Sequence, residues 1–141
     1  MFGMNPDFAG LARMRLAEHA VHTWDIAVAL DPEALVAAES VAMLVDSLDQ
    51  TAARSGKPAS EPFTVLLLAA DPDRAFLLSA AETVSLEPAA RDAIADGTVT
   101  LPAEALLRLV YGRLDPGHTP SSVVESGARG LADIRGVFQG F

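Results

Sequence analysis

Between Ser55 and Pro62 the sequence changes its periodicity, and that change constrains the fold more than any other feature. The stretch Ser55-Gly56-Lys57-Pro58-Ala59-Ser60-Glu61-Pro62 is dense in Gly, Pro and Ser, the composition of a linker. Before it, apolar residues recur at helical spacing: Phe8, Leu11, Met14, Val21, Trp24 and Val28, then Leu35, Ala38, Val41, Ala42, Val45 and Leu48. After it come short apolar runs closed by turn residues. Phe63 to Ala69 reads as a strand ended by Asp71-Pro72-Asp73, and Ala75 to Ser79 with Thr83 to Leu86 reads as a strand pair. Thr98 to Leu101 is a further strand, and Pro102 opens a helix over Ala103 to Arg113. Asp115 to Pro120 is a loop, Ser122 to Ser126 a last strand, and Leu131 to Phe138 a closing helix. Helices first and mixed strands and helices afterwards predict an α+β chain: residues 1–54 helical, 55–62 a linker, 63–141 an α/β domain.

The helix starts carry recognisable signals. Asn5-Pro6-Asp7 offers a cap, a proline at the first helical position and an acid in the first turn. Asp31-Pro32-Glu33 repeats that pattern and predicts a second helix from Pro32 to Ala53.

With 141 residues, half of them apolar, the chain has material for one domain, or one domain and a piece of another. Its net charge of −9 comes from nineteen acids against nine arginines and one lysine. Such a surface repels phosphate backbones and anionic lipid, so nucleic-acid and membrane partners are not expected. The N-terminus lacks the basic start and apolar core of a signal peptide, which makes the cytoplasm the expected compartment. No cysteine is present, which excludes a disulfide framework, a thiolate metal ligand and a protein-borne thiol nucleophile. Any thiol chemistry must use a thiol brought in as a small molecule.

Chemistry concentrates in Arg15-Leu16-Ala17-Glu18-His19-Ala20-Val21-His22-Thr23-Trp24-Asp25-Ile26. Positions i and i+4 of a helix lie about 40° apart, so Glu18 and His22 leave one face together. A carboxylate and an imidazole are two donors for a divalent metal, zinc being the best match to that pair. His19 points about 100° away from Glu18 and cannot join them. The bland alternative is an ordinary helix pair, the Glu solvated and the His in a core or an interface. Asp25 is either an acceptor that orients His22 or an exposed acid, and Trp24 reads as core packing. Gly56-Lys57 lacks the spacing of a phosphate loop, and no nucleophile elbow or dinucleotide fingerprint occurs.

The segment from Arg15 to Ile26 resembles the last helix of the DinB-like bundle in the mycothiol-dependent maleylpyruvate isomerase family. The stretch from Thr98 to Arg113, ending Leu109-Val110-Tyr111-Gly112-Arg113, is similar to the helix and Gly-Arg turn of that family's C-terminal domain. Ala128 to Phe141 fits its terminal helix. The resemblance spans nearly the whole chain but only the back half to two-thirds of a family member, which implies an N-terminally shortened relative. It implies a remnant of a four-helix bundle followed by a sterol-carrier-like domain. It also implies a divalent metal held by Glu18 and His22, with a third ligand, a His of an earlier helix, lacking here. Mycothiol would be the thiol cosubstrate, and Arg113 the active-site arginine.

The implied chemistry is coherent. A metal-bound thiol loses its proton and the thiolate adds to a cis-enoate; rotation and elimination then return the trans isomer. An arginine can clamp the substrate carboxylate and the developing enolate. Against this, Arg113 has a structural alternative as a cation at a helix C-terminus, and His118 reads as a solvated loop residue. With one ligand missing, the chain alone is expected to be inactive, needing a bundle segment or a second copy. The rival expectation is a non-enzymatic binding or interaction module built on the α/β domain.

Overall fold

A computed structural model describes residues 7–140. It shows an α+β architecture, helices followed by a five-stranded mixed sheet. Helix α1 runs Phe8–Leu30, α2 Ala38–Leu44 and α3 Leu48–Ser55, the last two joined by a 3-10 turn at Val45–Ser47. The strands are β1 Phe63–Ala70, β2 Arg74–Ala80, β3 Val84–Pro88, β4 Gly97–Pro102 and β5 Val124–Gly127. Helix α4 (Ala103–Val110) follows β4, and α5 (Leu131–Val137) closes the chain. The sheet order is β3-β2-β1-β4-β5, with β1 and β4 parallel and every other pair antiparallel.

Register follows from the pleat. Val65 faces Leu78 and Leu67 faces Phe76 across β1 and β2, Leu67 faces Val99 across β1 and β4, and Leu78 faces Leu86 across β2 and β3. These residues share one sheet face, and a one-residue slip would turn all of them to solvent. They form a single apolar core with Leu106 and Leu107 of α4, Ile134 and Val137 of α5, Val41 and Leu44 of α2, and Leu48 and Ala52 of α3. Ala17, Val21 and Trp24 of α1 belong to that same core. Their spacing of four and three residues is the stripe that a helix lays against a neighbour. The stretch from 55 to 62 is pinned to the domain, the Lys57 amide donating to the Val137 carbonyl and the Ala59 amide to that of Ala81.

Helix starts depart from the sequence pattern in two places. Asp7 caps α1, its carboxylate accepting from the Gly10 amide at 2.7 Å; the expected cap Asn5 and Pro6 lie outside the described residues. The helix expected from Pro32 begins only at Ala38 and breaks at Val45. The Asp31 carboxylate accepts from the Glu33 amide two residues on, so the local start signal closes a turn instead of opening a helix. Tertiary bonds then hold the segment extended. Trp24 Nε1 donates to the Ala34 carbonyl at 2.8 Å, and the Val36 amide donates to Glu104 at 3.0 Å.

Helix α4 ends three residues before Arg113, for a definite reason. The Arg113 amide donates to the Arg108 carbonyl and the Gly112 amide to that of Leu109. This pair of bonds is a Schellman cap, which needs a residue with positive φ just past the helix. Gly112 has φ of 73°, and a Cβ there would run into the Gly140 backbone. The Gly-Arg turn of the sequence is this cap. No helix among the described residues is long and apolar enough to cross a membrane.

Candidate functional site

Three layers of side chains radiate from α1. The innermost is a polar anchor between α1 and the sheet domain. Arg108, only 3% exposed, makes a bidentate ion pair with Glu104 at 2.7 and 3.0 Å and donates to the His118 carbonyl at 2.8 Å. Its guanidinium carbon lies 5.1 Å from the centre of the Trp24 ring, and the His118 ring meets Trp24 edge-on. A buried arginine needs all of these partners, because an uncompensated charge there is costly.

The second layer contains Arg113. It donates from Nε and Nη2 to the two Asp25 oxygens at 2.8 and 3.0 Å and from Nη1 to the Tyr111 carbonyl at 2.8 Å. The side chain is 13% exposed. Hydrogen bonding from Arg113, opposed by partial burial, holds the Asp25 carboxyl below its ordinary range. Asp25 also meets His22 Nδ1 at 3.4 Å, a long hydrogen bond. A continuous chain, Arg113–Asp25–His22, thus runs from the sheet domain onto the face of α1.

The third layer is open. Glu18 and His22 are 62% and 64% exposed. Among the described residues Glu18 has one ion-pair partner, Arg15 at 3.7 Å, an exposed pair that contributes little. Both side chains line a cavity of about 550 Å³ between α1, α2, α3 and the chain around Gly56 and Tyr111. Buried Thr51 and Tyr111 share a 3.3 Å hydroxyl contact in its lining, with Val21 and Leu44 beside them.

The structure therefore brings Glu18 and His22 together on one cavity wall. Arg113 lies off that wall, engaged with Asp25. Asp25 does touch His22, the orienting arrangement that the sequence left open. His118 is not a freely solvated loop residue, because its ring packs on Trp24 and its Nδ1 meets Asp115 at 2.9 Å. That contact keeps the Asp115 carboxyl below the usual range. Among the described residues no group of three or more His, Cys, Asp and Glu converges as a metal cage. What the sequence did not reveal is the gathering of Arg13, Arg54 and Lys57 around the same cavity. They come from different elements, so no spacing rule links them. No protein-family model matches this chain, and no curated protein matches it.

Proposed function

We propose that this chain carries the final metal-binding helix and the partner domain of a mycothiol-dependent metalloenzyme of the maleylpyruvate isomerase type. The observation that carries the reading is the placement of Glu18 and His22, both open to solvent on one wall of a small-molecule-sized cavity. Neither side chain is tied into the core. With Nδ1 directed to Asp25, His22 keeps Nε2 for a metal, the usual division of labour in which a carboxylate fixes the tautomer. The donor chemistry suits zinc, which accepts carboxylate oxygen and imidazole nitrogen. Two donors make half a site, however, since catalytic zinc normally takes three from protein. The third would come from outside this chain, from an earlier bundle segment or a second copy.

When bound, the metal would lower the pKa of the small-molecule thiol. The residues of the chain have other tasks. Glu18 and His22 hold and orient, and Asp25 keeps the His22 tautomer. Arg113 fixes Asp25 and so couples the sheet domain to the metal face. A direct role for Arg113 on a substrate carboxylate requires it to exchange Asp25 for substrate.

Calorimetry with Zn²⁺ tests the reading. The chain should bind zinc weakly, and His22→Ala or Glu18→Ala should remove that binding. Helices of a full-length relative that carry the third His, added in trans, should raise the affinity by at least tenfold and restore mycothiol-dependent turnover of maleylpyruvate. Equal zinc affinity with and without Glu18 and His22 would overturn the assignment.

A further inference from the structure

Nineteen acids and ten basic side chains share this chain, so a cation seldom lacks an acid to meet. Six of the ten have found partners. Arg15, Arg74, Arg108, Arg113 and Arg129 sit on carboxylates, and Arg135 donates to the Leu114 carbonyl and to Thr119. Among the described residues, the remaining four, Arg13, Arg54, Lys57 and Arg91, make no ion pair or side-chain hydrogen bond. Three of those four line the cavity beside α1, and among the described residues its lining includes a single carboxylate side chain, that of Glu18. The only lysine of the chain is one of them.

One of the three cavity cations has a bland explanation. Arg54 stands in the last turn of α3, where positive charge opposes the helix dipole. That account covers neither Arg13, in the interior of α1, nor Lys57, beyond the end of α3. Like charges brought together on a concave surface repel unless an anion joins them. Low-dielectric walls focus their field into the cavity. The same lining includes the apolar side chains of Met14, Val21 and Leu44. At about 550 Å³ the cavity falls within the range of small-molecule sites, roughly 300–1,000 Å³.

We infer that this cavity binds an organic acid, its anionic head held by Arg13, Arg54 and Lys57 and its apolar body laid against Met14, Val21 and Leu44. The site needs no metal, so it goes beyond the function proposed above and does not rest on it. Arginine suits the head because its planar fork meets a carboxylate or a phosphate at two points.

The test is calorimetric titration of the full chain, in buffer with EDTA, against decanoate, decyl phosphate and decan-1-ol. Both acids should bind and the alcohol at least tenfold more weakly; the better of the two acids identifies the head group. Arg54→Gln with Lys57→Gln should weaken acid binding at least tenfold, while Arg91→Gln, at the unpaired cation elsewhere, should leave it unchanged. Amide shift mapping on the unmodified chain keeps the question decidable should a variant fold poorly, since the acids should perturb Gly56, Lys57 and Val21. The inference is overturned by acid and alcohol binding equally, by none of the three binding at millimolar concentration, or by shifts confined to other surfaces. Binding that requires both His22 and added zinc would also overturn it, and would leave the metal reading standing.

Discussion

Two sets of cations flank α1, and the fold treats them in opposite ways. Arg108 and Arg113, on the side of the sheet domain, are withdrawn from solvent, bidentate on Glu104 and Asp25, and further bonded to backbone carbonyls. Arg13, Arg54 and Lys57, on the cavity side, are exposed and lack ion-pair partners among the described residues. The first set is explained by architecture, because each member would be a destabilising buried charge without its partners. In the second set only Arg54, in the last turn of α3, has a structural account of that kind. Charge left over by the fold points to what the molecule does.

Removing Arg108 tests the architectural side most severely. Arg108→Ala leaves Glu104 nearly buried without its cation and strips Trp24 of the guanidinium stacked on it. Breaking a buried pair from one side costs about 3–5 kcal/mol. Urea denaturation of the variant should show a loss of that size. A loss below about 1 kcal/mol would mean that the two cation sets are not different in kind.

The next effect belongs to the Arg113–Asp25 clamp, less buried and therefore weaker. Arg113→Lys loses the two-point contact and should cost about 1–2 kcal/mol, the range of a charge-assisted hydrogen bond. Acid provides an independent reading. Asp25 has a folded pKa depressed below 3.8, so the unfolded chain takes up protons first as pH falls. The stabilisation is fully present above that value and is lost as pH drops below it, through the folded pKa. Asp25→Asn should therefore be less stable than the parent at pH 7, with the two converging toward pH 2. Parallel stability curves across that window would show that Arg113 does not act through the Asp25 charge. A drop in activity without a drop in stability, in a reconstituted enzyme, would restore a direct catalytic task to Arg113.

The same contrast governs what the sequence could tell. Strands β1 to β4 were legible because alternation and apolar runs are local signals, and they recur within a residue or two of the expected bounds; helix α4 starts at Ala103 as expected but stops at Val110, three residues short of Arg113. The second helix was misplaced because its start signal at Asp31 is local while the bonds that override it are not. Trp24 to Ala34 and Val36 to Glu104 join residues remote in sequence. The Glu18–His22 pair was visible because helical spacing alone predicts that two side chains share a face. Arg113 stood out through the Gly-Arg turn. Its geometric reason, a Schellman cap on Gly112, returns the chain toward α1 so that Arg113 reaches Asp25. Arg13, Arg54 and Lys57 carried no signal, since only the tertiary fold brings α1, α3 and the chain after it to one cavity.

The smallest effect expected is the most discriminating. Replacing Arg13, Arg54 or Lys57 by Gln removes an exposed charge that has no ion-pair partner among the described residues, and surface changes of that kind usually stay within about 0.5 kcal/mol. Two electrostatic contributions oppose each other. Mutual repulsion in the cluster favours neutralisation, while attraction to a chain of net charge −9 resists it. At physiological ionic strength the Debye length is about 8 Å, so the attraction to distant acids is largely screened and nearer repulsion less so. The single variants should thus match the parent in thermal stability in 0.15 M salt. In saturating decanoate the parent should gain stability over the Arg54→Gln, Lys57→Gln double variant, because a ligand stabilises the state that binds it. A variant already less stable by more than about 1 kcal/mol without ligand would place these residues in the fold, and the contrast between the two sides of α1 would dissolve.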